Sequence, residues 1–140
     1  MFQSPSAVHM SRGGTSVVVV LPSEGGPRID YWGRQLGSLT EPQLLDLTRS
    51  QVPEVVSGTA DIPPAFSLIP LQSEGWLGTP GLVGSREGLE AFSRVSITEV
   101  RTSNDNLGNI VRVEVDSHDY EADLSVTVIL ELTERGVLRL

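Results

Sequence analysis

Apolar and polar residues alternate along the last third of the chain. The alternating apolar positions are Val95 and Ile97, then Val111, Val113 and Val115, then Leu124, Val126, Val128, Leu130 and Leu132. A period of two places such residues on one face of a strand. Turn-forming residues at 104–108 and 117–121 separate these segments, so we expect an antiparallel meander. A further apolar run at 137–140 predicts the start of another strand.

A second β region lies near the start of the chain. Residues 15–21 are dense in β-branched side chains, which pack well on a pleated surface, and they predict a strand buried on both faces. Turn formers fill residues 22–27, and residues 28–32 predict a second short strand that ends at Gly33. The two strands are expected to form a hairpin. Trp32 is interpreted as a core or subunit-contact residue.

One short helix is predicted near residues 41–49. Thr40 and Gln43 have the spacing of a capping box, in which each residue bonds to the backbone of the other. Pro42 falls in the first turn, where its missing N–H would have no partner in any case. The leucines that follow supply one apolar face of the helix.

Residues 53–88 predict a long loop, because proline or glycine recurs every few residues and neither a long helix nor a central strand tolerates that density. The apolar residues within it favour an ordered loop over a disordered one. Trp76 lies in its most glycine-rich stretch. The indole either anchors the loop on the sheet or forms a platform for a ligand or a neighbouring subunit.

Composition limits the classes of function. A length of 140 residues and a hydrophobic content of 39% predict one domain over 1–140 with a real core. The formal charge of −8 argues against nucleic acid and anionic membrane surfaces as partners. Cysteine is absent, which excludes disulfides and thiolate chemistry. With no targeting segment or membrane span in the sequence, a soluble, cytoplasmic protein is expected.

The densest group of potential metal ligands consists of Asp116, His118, Asp119, Glu121 and Asp123. Their spacing matches no defined metal loop, since a calcium loop needs a central glycine and a glutamate at its twelfth position. A solvated acidic turn is therefore the favoured interpretation. No metal and no cofactor are predicted.

The two histidines, His9 and His118, have no visible partner in the sequence and are interpreted as surface residues. No Gly-x-Ser-x-Gly elbow marks a Ser-His-Asp triad. Among 18 acidic residues, no pair stands out as the two carboxylates of a glycosidase. The sequence thus predicts no catalytic residue in this chain, and a hydrolase site of its own is the least favoured hypothesis.

Three ordered segments resemble bacterial α-galactosidases of glycoside hydrolase family 36, especially actinobacterial ones. Residues 28–37 contain Tyr31-Trp32-Gly33 followed by Arg34, similar to a signature near the start of these enzymes. Residues 66–70 and 75–88 look like the loop that precedes their next strands. Residues 132–138 resemble the strand that continues into the rest of the family's first domain.

This resemblance implies an antiparallel β-sandwich, a supersandwich of which the chain forms an incomplete N-terminal fragment. In the family, a downstream (β/α)₈ barrel carries the two catalytic aspartates for retaining removal of terminal α-galactose. The fragment alone is then expected to be inactive. Its implied partners are that barrel, further copies in a homo-oligomer, and the galactoside substrate through the full-length enzyme.

The resemblance also implies that a loop of this domain reaches a neighbouring active site in some members. Asp61 and Trp76 lie in the corresponding region and are the candidate substrate-binding residues. The alternative is a free-standing β-sandwich that binds carbohydrate or protein through its Gly/Pro-rich loop, with Trp76 stacking on a sugar face.

Overall fold

The computed structural model describes residues 6–55, 57–58, 65–88 and 92–140. Two antiparallel sheets pack against each other, so the predicted mainly β class and the antiparallel sandwich are confirmed. The elements are β1 (Ala7–Arg12), β2 (Thr15–Val20), β3 (Arg28–Arg34), α1 (Glu41–Ser50), β4 (Ser96–Asn104), β5 (Ile110–Asp119), β6 (Leu124–Leu132) and β7 (Leu138–Arg139). The long loop between α1 and β4 contains a 3₁₀ turn over Gln72–Glu74.

The first sheet has the strand order β1-β2-β3, and both neighbouring pairs are antiparallel. The predicted hairpin of β2 and β3 is confirmed, and β2 is buried on both faces from Ser16 to Val20. β1 went unpredicted because its two core residues, Val8 and Met10, alternate with other side chains over only six residues. So short a strand gives a weak periodic signal.

The second sheet has the order β4-β5-β6-β7 and confirms the predicted antiparallel meander. One predicted boundary is wrong. β5 continues to Asp119, so His118 lies in a strand and the turn follows it. The alternation of residues in β5 extends past the predicted turn because Ser117 and Asp119 are buried polar residues on the apolar face.

The core lies between the two sheets. Its largest fully buried side chain is Met10 of β1, which the second sheet covers mainly through β5. Each such buried aliphatic side chain stabilises the fold by about 1.5–3 kcal/mol relative to exposure. The buried cluster consists of Val8, Met10, Val17, Val19, Leu21, Val113, Val115, Val128, Leu130 and Leu132.

Trp32 is 60% exposed, so the core alternative of its interpretation is wrong and the subunit-contact alternative stays a prediction. It lies opposite Val17 in the register of β2 and β3 and therefore on the core-facing side of the sheet. β3 is an edge strand, however, and the second sheet packs mainly against β1. The core-facing side of β3 at Trp32 is consequently left open.

The tips of the two sheets meet at a pair of glycines with positive φ. Gly13 (φ 59°) turns β1 into β2, and Gly136 (φ 74°) turns β6 into β7. A Cβ on Gly13 would lie 2.6 Å from the backbone nitrogen of Gly136, so a side chain does not fit there. The Arg12 guanidinium donates to Glu134 at 2.9 Å across the same contact.

The predicted helix is confirmed as α1. The Gln43 side-chain oxygen accepts a hydrogen bond from the Thr40 backbone N–H at 2.9 Å, which is half of the predicted capping box. None of its residues is fully buried, in keeping with a helix lying on the surface of the first sheet. Within the described residues, no helix has the length and apolar character that a bilayer span requires.

Candidate functional site

Trp76 is half-buried within its own loop. Its indole N–H donates to the Thr79 carbonyl oxygen at 2.9 Å. The ring meets Phe66 edge to face at a centroid distance of 4.9 Å, and a Cβ on Gly78 would approach the indole to 2.8 Å. The loop thus requires glycine at 78 for the indole to lie on its backbone. These contacts orient the indole and leave part of its surface accessible.

Asp61, the other candidate substrate-binding residue, lies outside the described residues. Its assignment as a substrate-binding residue therefore stays a prediction. Beside Trp76, the loop presents Leu77, which is 99% exposed. The described portion of the predicted loop comprises residues 53–55, 57–58 and 65–88.

Glu74 ties the loop to the first sheet, a role the sequence analysis did not anticipate. Its carboxylate accepts backbone hydrogen bonds from Ser67 (3.2 Å), Leu71 (3.3 Å) and Gly26 (3.4 Å), and the Ser67 hydroxyl lies 3.0 Å away. Gly26 belongs to the connection between β2 and β3. Bonds to an ionised acceptor are stronger than neutral ones, so this carboxylate joins the β2–β3 connection to the loop. The sequence carries no capping signal for this role, because leucine at position 71 has no side-chain acceptor.

A cleft of about 590 Å³ opens beside Glu74. Arg28 and Arg94 line it together with Glu24 and Glu74, so both signs of charge are present. The Arg28 guanidinium is paired with Asp30 at 3.0 Å. The cleft therefore presents hydrogen-bond donors and acceptors to polar groups. Its positive and negative side chains largely offset each other's electrostatic potential.

Comparison with known protein families gives a match. The model of the glycosyl hydrolase family 36 N-terminal domain matches residues 25–140. The chain is a glycosyl hydrolase family 36 N-terminal domain. The match runs from the connection before β3 through β7, and the first two strands precede it. No curated protein and no solved structure matches the chain significantly.

In this family 36 N-terminal domain, one carboxylate of the predicted acidic turn is buried and holds the backbone in place. Asp119 is only 2% exposed, and its carboxylate accepts hydrogen bonds from the backbone N–H groups of Arg94 (2.9 Å), Glu121 (3.0 Å) and Ala122 (3.1 Å). Burial raises the pKa of Asp119, but these amides outweigh it and hold the pKa below its usual value. The interpretation as a solvated turn is thus wrong for Asp119, because three amides replace its water.

His118 has neighbours that the sequence did not reveal. Its Nδ1 lies 3.1 Å from the Ser125 hydroxyl, and its Nε2 lies 3.8 Å from the Asp123 carboxylate. The second distance exceeds a hydrogen bond, so the three residues do not form a catalytic triad. Over the described part of the chain, no group of three or more His, Asp and Glu side chains is arranged to hold a metal ion.

His9 of β1 is half-buried and has a hydrogen-bonding partner that the sequence did not reveal. Its Nε2 lies 2.8 Å from the Ser16 hydroxyl, which accepts a hydrogen bond from the Leu36 backbone N–H at 3.0 Å. The Ser16 hydroxyl thus links the His9 side chain to the Leu36 backbone. Burial lowers the pKa of His9, which favours the neutral imidazole.

Charged side chains cover the outer face of the second sheet. Arg101 of β4 lies 2.6 Å from Asp116 and 3.1 Å from Glu114, both on β5. Arg112 contacts Glu114 and, on β6, Glu131. The arginines lower the pKa of Glu114, with Arg112 as the larger cause. Such exposed pairs contribute little to stability but keep this face in water.

Proposed function

We propose that this chain is the non-catalytic N-terminal β-sandwich domain of an α-galactosidase. The catalytic barrel of the same protein would perform retaining hydrolysis of terminal α-galactosides, with its two carboxylates outside residues 1–140. The observation that carries the proposal is the family 36 N-terminal match over residues 25–140. The segments at 28–37 and 75–88 support an actinobacterial type, and the absence of cysteine fits a cytoplasmic enzyme.

We take residues 1–140 as one domain. β1 and β2 precede the matched residues, yet Met10 and Val17 belong to the same buried cluster as Val113 and Leu130 of the second sheet. A hairpin that shares its core with the matched strands belongs to the same folding unit. This packing supports a domain that begins before the family match.

The domain would support the barrel and contribute subunit contacts through the open side of β3. Trp32 lies there with 60% of its surface exposed, and Leu36 follows it with 37% exposed. Large aromatic side chains are enriched at the centres of protein interfaces. This exposure supports a covering partner, which we take to be the barrel or a second copy of the chain.

Activity assays test the proposal. The 140-residue chain and the full-length product of its gene are each incubated with an aryl α-galactoside. We expect turnover by the full-length product and none by the chain alone. Turnover by the chain itself would place the catalytic carboxylates within it. A full-length product inactive on every glycoside would instead favour the free-standing binding module.

The same proposal assigns the loop of Asp61 and Trp76 to a neighbouring active site, where the indole would stack on the sugar. In the full-length enzyme, Trp76→Ala is then expected to raise KM for an aryl α-galactoside about 2- to 12-fold, in line with about 0.5–1.5 kcal/mol for an aromatic contact. Leu77→Ala is the matched control, because Leu77 adjoins Trp76 and is almost fully exposed. Equal KM values for both variants and the parent would remove the loop from the substrate site.

A further inference from the structure

A shallow groove with a volume of about 660 Å³ lies at the end of the second sheet where β6 turns into β7. The charged residues that line it are Arg12, Arg112, Arg135, Arg139, Glu131 and Glu134. The chain as a whole has 10 basic and 18 acidic residues, so the excess of arginine in this groove runs against the overall composition. The groove is a locally positive surface on an acidic protein.

Both glutamates of the groove are paired with its two half-buried arginines. The Glu134 carboxylate lies 2.9 Å from the Arg12 guanidinium, and Glu131 contacts Arg112. Arg112 also contacts Glu114, which lies on the same strand. The negative charge in the lining is therefore spent on Arg12 and Arg112.

The register of the sheet explains why Arg139 is left without a carboxylate. Arg112, Glu131 and Arg139 lie opposite one another on β5, β6 and β7, so they share one face of the sheet. Glu131 thus stands between two arginines, and its ion pair is with Arg112. Arg139 is exposed and forms no ion pair with any residue that the structure describes.

Arg135 is a second arginine with an uncompensated charge. It is exposed in the turn between β6 and β7, and within the described part of the chain it forms no ion pair. The turn that carries it is ordered, because the Gly136 N–H donates to the Thr133 carbonyl oxygen at 2.9 Å. Thr133 and Ser103 also line the groove, and their hydroxyl groups can donate hydrogen bonds to an oxyanion.

These features favour an anionic ligand. A guanidinium group has five N–H donors and no acceptor, and its planar shape matches the two oxygens of a carboxylate or phosphate. Positive charges gathered in one groove repel each other, and a bound anion relieves that repulsion. A ligand with two anionic groups can pair with Arg135 and Arg139 together, whereas a ligand with one anionic group can pair with only one of them.

We propose that the groove at the β6–β7 turn binds a small multivalent oxyanion, a molecule that carries at least two carboxylate or phosphate groups. The volume of the groove lies within the range of small-molecule sites. The proposal uses residues of this chain alone and does not depend on the reaction that another domain catalyses.

The first test is a titration of the isotope-labelled chain in low-salt buffer, followed by amide NMR. Citrate and pyrophosphate are the multivalent probes, and acetate at equal ionic strength is the control with one charge. We expect citrate or pyrophosphate to shift the amide resonances of Arg135, Gly136 and Arg139 saturably, and the tighter of the two identifies the preferred anionic group. Added sodium chloride should weaken this binding, since exposed charges are screened by salt.

Two results of this titration would overturn the proposal. One is the absence of saturable shifts in the groove with both citrate and pyrophosphate. The other is saturation by acetate at the same concentrations, because a site that pairs with two anionic groups must prefer the multivalent probes.

The second test uses Arg135→Gln and Arg139→Gln, both at exposed positions where folding is not at stake. Each variant is expected to weaken binding of the tighter probe about 2- to 5-fold, as for one exposed ion pair, with an unchanged thermal unfolding midpoint. Binding like that of the parent by both variants would exclude these arginines as the anion site.

Arg94→Gln is the matched control for these variants. Arg94 is also exposed and without an ion pair among the described residues, and it precedes β4, whose other end reaches the groove at Ser103. It therefore removes the same charge at the far end of the sheet. We expect Arg94→Gln to bind like the parent, and a loss equal to that of the groove variants would show that only the net charge matters.

Discussion

Val17 and Trp32 lie directly opposite each other on β2 and β3, yet Val17 is fully buried while the Trp32 side chain is 60% exposed. Met10 lies opposite Val17 on β1 and completes a row across the sheet. One face of the sheet therefore passes from complete burial to exposure within three strands. The change occurs because the second sheet packs mainly against β1 and leaves β3 uncovered at Trp32.

This row predicts a contrast between its two ends. Met10→Ala should lower the free energy of unfolding by about 2–5 kcal/mol, because it leaves a cavity in a close-packed core. Trp32→Thr should change it by less than about 1 kcal/mol, because the indole is mostly in water and threonine suits a strand. Urea denaturation of both variants measures the difference. Similar losses at both positions would show that Trp32 is covered in solution.

If Trp32 mediates association between copies, its replacement should also change the oligomeric state. We expect the chain to self-associate at high concentration and Trp32→Thr to be more monomeric, because an exposed aromatic on an open edge favours contact between molecules. Sedimentation velocity over a concentration series measures this. A parent chain that is monomeric throughout would remove the self-association proposal and leave the barrel as the partner.

Glu74→Gln should loosen the loop. The glutamine amide nitrogen cannot accept a hydrogen bond, so at least one backbone N–H of Gly26, Ser67 or Leu71 loses its acceptor, at a cost of about 1–3 kcal/mol. Hydrogen exchange at these amides should accelerate together. Glu24→Gln removes the same charge from an exposed side chain of the same cleft and should leave exchange unchanged. Equal exchange in both variants would contradict the role of Glu74.

Asp119→Asn should destabilise the chain at neutral pH by about 1–3 kcal/mol, since the Asn amide group cannot accept from all three backbone amides. The folded-state pKa of Asp119 lies below 3.8, so the unfolded chain takes up the proton first as the pH falls. The stabilisation is therefore complete above about pH 3.8 and lost below it. Denaturation curves of variant and parent should converge toward low pH. The 80% exposed Asp123, as Asp123→Asn, is the control.

Stability should also depend on pH through His9. Folding favours the neutral form of this side chain, whereas it favours the charged form of Asp119. Its folded-state pKa lies below 6.5, so the unfolded chain binds a proton that the folded chain resists. Stability attributable to His9 is then complete above pH 6.5 and declines as the pH falls below it. His9→Gln should flatten this part of the stability profile between pH 5 and 7. A slope identical to that of the parent would show that His9 protonates freely in the folded state.

The sequence predicted the elements whose residues repeat over a long enough segment. Apolar and polar residues alternate in β5 and β6, and β2 is rich in valine. These patterns show which residues face the core, so the existence of the three strands was predicted correctly. β1 was missed because its side chains carry too little periodicity, although Met10 is fully buried. Burial of Met10 depends on β5, which lies about a hundred residues later in the chain.

The polar contacts were the least predictable features. Glu74 and Asp119 are common surface residue types, and only the folded chain brings backbone amides to their carboxylates. The same holds for the pairing of His9 with Ser16 across β1 and β2. Sequence analysis correctly placed Trp76 in an ordered loop. In the structure, the indole packs against Phe66 and lies over the backbone at Gly78. Its contact with substrate stays a prediction.

The two strands that precede the family match have a practical consequence for expression. A polypeptide trimmed to start at residue 25 would keep every matched position but lose Val8, Met10, Val17 and Val19. The inner surface of β5 and β6 would then face solvent, and such surfaces promote aggregation. A polypeptide that begins at residue 25 is therefore expected to be insoluble. One that begins upstream of Ala7 keeps the β1–β2 hairpin, which covers the core.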